Sequence, residues 1–289
     1  MSLLNILIVA IVQGFAELLP ISSSAHVVVT EKLLGLDPSS PPMTLLLVML
    51  HTGTMFAVIF YFWSQWRHTY FQSAEAFKKF AVAVILATAL TGILGEGIML
   101  GIEKTAFRGI PHGEIEDLFG HLELIAPALA IVGILILIAG LSERRSLAGH
   151  RVESKELTAK QAGLIGAIQG LSLPFRGFSR SGATISTGML AGVPKARAEA
   201  FSFALAVVLT PPVVAREALR LIRAERIQGA AELASAAFPS VLGALFAFLA
   251  GLLALKWLSR WLERGRWHYF GIYCLIAAIA VAALHHAGY

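Results

Sequence analysis

Two short polar stretches interrupt an otherwise apolar sequence: Gln13 to His26 (QGFAELLPISSSAH) and Gln169 to Thr184 (QGLSLPFRGFSRSGAT). Each begins Gln-Gly, meets a proline within a turn or two and ends in a cluster of serines. Gln13 and Glu17 are four residues apart and project from one helix face. A carboxylate and an amide oxygen one turn apart suit a hard divalent cation that keeps several waters and binds phosphate oxygens, the usual role of Mg²⁺. The plainer reading is that Glu17 pairs with Arg180 and neutralises a buried charge. Ser22, Ser23 and Ser24 precede an apolar run, so one of them caps a helix. Capping needs a single hydroxyl; the others, with His26, can face one cavity as the nucleophile and base of covalent catalysis. Taken singly, a serine run is a cap and a lone histidine a satisfied interior group. Gly177 to Thr184 (GFSRSGAT) adds a Gly-rich turn opening a helix, whose N–H groups and dipole make an anion site. Arg180 supplies a guanidinium able to bind phosphate oxygens through two parallel hydrogen bonds. Set among Ser179, Ser181 and Thr184, it brings more donors than a neutral ligand needs.

The elements that must position these groups lie in a membrane. Of 289 residues, 57% are hydrophobic and 14% charged, too few charges for an ordinary soluble domain. Six apolar segments approach the length of a bilayer crossing, at about 43–64, 77–98, 121–141, 197–221, 235–257 and 267–286. Two more, about 3–34 and 158–192, are broken by Pro20 and Pro174, which remove a backbone donor and clash with the preceding turn. These are expected to be re-entrant helix-loop-helix segments. Irregular backbone at membrane depth survives only inside protein or beside a wet cavity, so both breaks belong in the interior. The expected fold is therefore all-α and polytopic. One re-entrant segment and three spanning helices repeat once, as halves 1–148 and 149–289 of a single membrane domain. Three crossings are odd, so the repeat is inverted and its site lies near the midplane. Loops on one side carry fourteen Lys and Arg residues, from Arg67 to Arg266, and those on the other seven. Cytoplasmic loops hold the excess, which puts both termini in the periplasm.

The net charge of +5 comes from these loops. No basic stripe interleaved with aromatics is present, and no nucleic-acid partner is expected. Cys274 is the single cysteine and is read as a packing residue, with no disulfide or cysteine-based metal site. The N-terminus lacks a positive n-region and a cleavage site, so no removable signal peptide is expected. Glu103, His112, Glu114, Glu116 and Asp117 between residues 99 and 120 read as a solvated acidic loop, because their spacing matches no metal-ligand pattern. The five tryptophans, Trp63, Trp66, Trp257, Trp261 and Trp267, fall at span ends, as in an aromatic belt.

ELLPISSSAH and FSRSGAT, together with FSFALAVVLTPP at 201–212 and LHTGT at 50–54, resemble the undecaprenyl-diphosphate phosphatase family, also called the bacitracin-resistance family, over nearly the whole chain. The resemblance implies an integral-membrane hydrolase of the bacterial inner membrane. Such an enzyme removes the terminal phosphate of the polyprenyl diphosphate carrier of cell-wall synthesis, with a divalent cation. It implies metal and diphosphate roles for Gln13 and Glu17, a catalytic pair of Ser23 and His26, and phosphate binding by Arg180 with Ser179 and Thr184. Ser22, Ser181, Gly182 and Arg176 complete the expected substrate-binding set. Two departures stand out. Gln13 replaces the first acidic residue. The family's Pro-Gly-x-Ser-Arg-Ser-Gly becomes Pro174-Phe-Arg-Gly-Phe-Ser-Arg-Ser-Gly182, two residues longer and carrying the extra cation Arg176.

The chemistry expected is phosphoryl transfer by positioning and charge stabilisation. Ser23 attacks with His26 as proton acceptor, or His26 attacks directly; the sequence leaves both open. The prenyl tail needs a lipid-open groove, with Phe201 and Phe203 as candidates. Membrane lipids are the other expected partners, and a homodimer is left open. Two rival readings use the same residues: a transporter or flippase that binds an anion at the midplane without cleaving it, and an inactive homologue that confers resistance by binding.

Overall fold

The structure, a computed structural model, describes residues 2–37, 40–106, 121–146, 157–228 and 230–287. Among the described residues there are ten helices and no strand: α1 (Leu3–Leu18), α2 (Ser23–Leu33), α3 (Pro41–Thr69), α4 (Ala74–Ala106), α5 (Leu122–Ser146), α6 (Ala159–Ser172), α7 (Arg180–Leu190), α8 (Lys195–Gln228), α9 (Ala230–Glu263) and α10 (His268–His286). Six contain a stretch long and apolar enough to cross a membrane: Pro41–Thr69, Ala74–Thr105, Leu122–Glu143, Lys195–Leu219, Ala236–Glu263 and His268–His286. These are the six apolar segments of the sequence, with ends that differ by several residues. The expected acidic loop of 99–120 is helical as far as Ala106, so Glu103 lies on α4, and His112, Glu114, Glu116 and Asp117 lie outside the described residues.

The other four helices are short and come in pairs. α1 stops where Pro20 forbids helical backbone to the residue before it, and Leu19 is extended at ψ 150°. Ser22 then caps α2, accepting from the Ala25 N–H. In the second pair, Thr158 and Gln161 form a reciprocal capping box that starts α6. That helix ends at Ser172, just before Pro174, and Ser179 caps α7 by accepting from the Gly182 N–H.

Each pair packs against the far half of the chain: α1 lies on α9, and α6 on α4. The Gln-Gly dipeptides are where the backbones meet. A Cβ on Gly14 would stand 2.6 Å from Ala250 Cβ, and one on Gly170 would stand 2.9 Å from the Thr91 carbonyl oxygen. Neither position has room for a side chain. α5 packs on α10 and α3 on both α8 and α9.

The two phenylalanines expected to line a lipid-open groove lie in two cores, Phe203 in the one α8 makes with α3 and Phe201 in the one it makes with α4 and α6. Phe201 and Phe203 are fully buried, Phe203 stacking on Phe62 at 5.3 Å. In a bilayer, lipid-facing and core-facing side chains are equally apolar, so composition does not say which way a phenylalanine turns. The tryptophans split for the same reason. Trp63 and Trp257 are exposed. Trp66 and Trp267 are buried, donating to the Ala200 carbonyl and the Ser186 hydroxyl. Cys274 is buried, as expected, with its thiol 3.3 Å from the Pro20 carbonyl. Large exposed side chains such as Phe60, Ile85, Ile93, Leu253 and Ile279 give the exterior the apolar surface a lipid contact requires.

Candidate active site

The two interrupted pairs meet at their turns, and one carboxylate joins them. Glu17, on the last turn of α1, accepts from Arg180 Nη2 at 2.7 Å through Oε1. Its Oε2 accepts from the Ser23 hydroxyl at 2.6 Å and from Gln13 Nε2 at 3.2 Å. Ser23 is the first residue of α2 and Arg180 the first of α7. Glu17 thus binds Ser23 six residues away and Arg180 163 residues away through one side chain. The Glu17 side chain is 13% exposed and that of Arg180 24%, so each charge is compensated where water is scarce.

The turns also brace each other. Ser24, second in α2, accepts from the Gly177 N–H of the other turn at 3.2 Å. Ser181, second in α7, donates to the Leu19 carbonyl of the first turn at 3.3 Å. The bracing brings the starts of α2 and α7 to one place. Their first-turn N–H groups, which lack intrahelical acceptors, make that place favourable to an anion.

The remaining expected residues divide into frame and cavity. Ser179 is a cap, and Ser22 caps as well, its hydroxyl 3.2 Å from that of Ser24. Thr184 is fully buried, 2.7 Å from the Arg180 carbonyl and 2.6 Å from the Ser202 hydroxyl; it orders the turn that carries Arg180. Gly182 abuts Ile136, where a Cβ would come within 2.7 Å of Cδ1. Arg176, on the lengthened turn, interacts electrostatically with the buried Glu31 of α2. His26 Nδ1 lies 2.7 Å from the Ser22 carbonyl and Nε2 2.7 Å from the Tyr273 hydroxyl. The structure thus pairs Ser23 with Glu17 and His26 with Tyr273, two dyads in place of one Ser23–His26 contact.

Sequence reasoning passed over two side chains here. His51 of α3 bonds the Leu47 carbonyl through Nδ1 at 2.8 Å and sets Nε2 3.8 Å from Glu17 Oε2. It belongs to the quoted LHTGT stretch, where a histidine on an apolar helix was the available signal. Tyr273 carried none, being one aromatic in an apolar span. Among the described residues no group of three or more His, Cys, Asp or Glu side chains could hold a metal ion. The one carboxylate and the Gln13 amide fit a Mg²⁺ that takes its other oxygens from phosphates and water.

The family profile described as bacitracin resistance protein BacA matches residues 6–280. The chain is 54% identical over 287 residues to undecaprenyl-diphosphatase 2 of Acinetobacter baylyi, an alignment covering 98% of both chains. It is 34% identical over 290 residues to undecaprenyl-diphosphatase 1 of Burkholderia pseudomallei, covering 96% of this chain and 95% of that one. With a braced, anion-attracting centre between two interrupted helix pairs and a match along nearly its whole length, the chain belongs to the bacitracin resistance protein BacA family.

Proposed function

We propose that this protein is an integral-membrane phosphatase that hydrolyses undecaprenyl diphosphate to the monophosphate and inorganic phosphate. It thereby recycles the lipid carrier of cell-wall synthesis and confers bacitracin resistance. The names of the relatives support the substrate, and neither relative is named a transporter. The observation that carries the chemistry is the Glu17 junction, where a hydroxyl from one turn and a guanidinium from the other sit 2.6 and 2.7 Å from one carboxylate.

Arg180 and the starts of α2 and α7 hold the diphosphate. Ser23 Oγ attacks the terminal phosphorus and gives its proton to Glu17 Oε2, and the bond to the bridging oxygen breaks as the polyprenyl monophosphate leaves. Water then attacks the phosphoserine phosphorus with His26 as proton acceptor, the P–Oγ bond breaks as Glu17 returns its proton to Ser23 Oγ, and phosphate is freed. Gln13 and Glu17 would hold Mg²⁺, which when bound supplies charge neutralisation across the diphosphate oxygens. Ser22, Ser179, Ser181, Gly182 and Thr184 shape the two turns, and Arg176 extends the positive face toward α2. Every group comes from one chain, so the chemistry needs no second copy.

The topology proposed is two re-entrant pairs, α1–α2 and α6–α7, in an inverted repeat of halves 1–148 and 149–289. α1 has 16 residues and α6 has 14, about 24 and 21 Å of helix against roughly 30 Å of hydrocarbon. Neither crosses alone, and the exchange of partners, α1 on α9 and α6 on α4, is what such a repeat produces. Six crossings put both ends of the chain on one side. The loop-charge excess makes that side periplasmic, with the protein in the bacterial inner membrane.

The test is release of inorganic phosphate from undecaprenyl diphosphate by purified protein in detergent with Mg²⁺, abolished by Ser23→Ala. Wild-type protein that binds the lipid but releases no phosphate ends the enzyme reading. Release that survives chelation removes the cation. Cysteines introduced at Leu3 and Lys78, probed with an impermeant maleimide on intact cells, check the topology: only the first should label.

A further inference from the structure

His26 is held at both ring nitrogens by partners of different kinds. The Ser22 carbonyl only accepts, so at 2.7 Å it fixes the ring proton on Nδ1. The carbonyl is aimed there by the left-handed backbone of Ser22, φ 69° and ψ 97°, among the described residues the one non-glycine with positive φ. The lone pair of the neutral ring is then on Nε2, and the Tyr273 hydroxyl donates into it at 2.7 Å. The two rings stack with centroids 5.7 Å apart and an interplanar angle of 14°. Tyr273 comes from α10, 247 residues along the chain, and is about half exposed at the edge of the site.

We infer that Tyr273 is the positioning residue for His26: its hydroxyl covers the reactive Nε2 in the resting protein and holds the imidazole where it can take a proton. A phenol both donates and accepts. It therefore bonds the neutral ring as donor and, once Nε2 has taken the proton of the attacking water, bonds the imidazolium as acceptor. The ring stays in place through both protonation states. Ser23 is not part of this pair, because its proton is directed at Glu17. The catalytic consequence rests on the phosphatase reading; the pairing does not.

Tyr273→Phe keeps the stacked ring and removes only the hydroxyl. Diethyl pyrocarbonate attacks the lone pair of neutral imidazole, so labelling of His26 in the purified full-length protein, followed by mass spectrometry, reports whether Nε2 is covered. The exposed His68 serves as internal reference. His26 should label about tenfold faster in the variant, the effect of losing one hydrogen bond, with His68 unchanged. In the phosphate-release assay kcat should fall about five- to tenfold with KM within about twofold. Unchanged His26 labelling overturns the inference whatever the activity, and so does an unchanged kcat. Where the wild-type protein releases no phosphate and kcat is undefined, faster labelling of His26 in Tyr273→Phe supports the pairing and counts against the phosphatase reading alone.

Discussion

The turn between α1 and α2 and the turn between α6 and α7 are built to one plan and loaded differently. Aligned on their capping serines, Ser22 and Ser179, the first helical residues are Ser23 and Arg180, and both reach Glu17. The second are Ser24 and Ser181, and both cross to the opposite turn. Each turn also needs one residue in the left-handed region, Ser22 at φ 69° and Gly177 at φ 97°. The half-helices before the turns are where likeness stops. Gln13 stands four residues before Glu17 and donates to it. Gln169 stands four before Leu173 and donates instead to Thr91 of α4. One turn carries the carboxylate and a hydroxyl, the other a cation. A shared frame thus brings together a carboxylate and a cation that neither half holds as a pair.

That division can be broken first at the paired positions. Ser23→Ala should lower kcat for phosphate release by about 10⁴-fold or more, as loss of a nucleophile does. Arg180→Ala should lower it about 10²- to 10³-fold, as loss of a charge-stabilising donor does. Only the second leaves a buried charge unpaired, so only it should also reduce stability, by about 3–5 kcal/mol in thermal or denaturant unfolding. Equal losses on both measures would erase the assigned difference.

The left-handed positions give the next largest contrast. A Cβ on Gly177 would lie 2.5 Å from the Ile125 carbonyl oxygen in a backbone that disfavours side chains, so Gly177→Ala should cost about 2–3 kcal/mol. Ser22→Gly relieves strain while losing a cap, and its unfolding free energy should stay within about 1 kcal/mol of wild type. The glutamines give the smallest. Gln13→Ala should cost about tenfold in kcat with little loss of stability. Gln169→Ala should cost about 1–2 kcal/mol in stability and leave kcat intact. Unfolding and phosphate-release measurements on the same preparations decide each pair.

Much of this centre was legible because its signals are local. Pro20 and Pro174 disfavour helical backbone at the residue before them, where Gly and Ser neighbours let the chain turn, whereas Pro127, Pro211, Pro212 and Pro239 lie inside continuous helices. Ser22 and Ser179 cap through a bond that closes within three residues. The four-residue step from Gln13 to Glu17 follows from helix pitch alone. The expected Ser23–His26 pair was also a local inference, and the hydrogen bonds of the two side chains go to other partners. Ser23 found a carboxylate on the preceding helix, and His26 turned back to the Ser22 carbonyl and out to Tyr273.

The sequence by itself determined that the chain is helical, that six segments are apolar enough to cross a membrane, and where two others break. Those outcomes depend on composition and on steric and capping rules that act over a few residues. Only the tertiary structure decided that Phe201, Phe203, Trp66 and Trp267 face inward, that Ser24 and Ser181 brace opposite turns, and that His51 and Tyr273 reach the centre. The reason is the solvent. In lipid the inner and outer faces of a helix are both apolar, so periodicity does not mark the inside, and partners more than a hundred residues apart are chosen by packing and by the need to satisfy polar groups away from water.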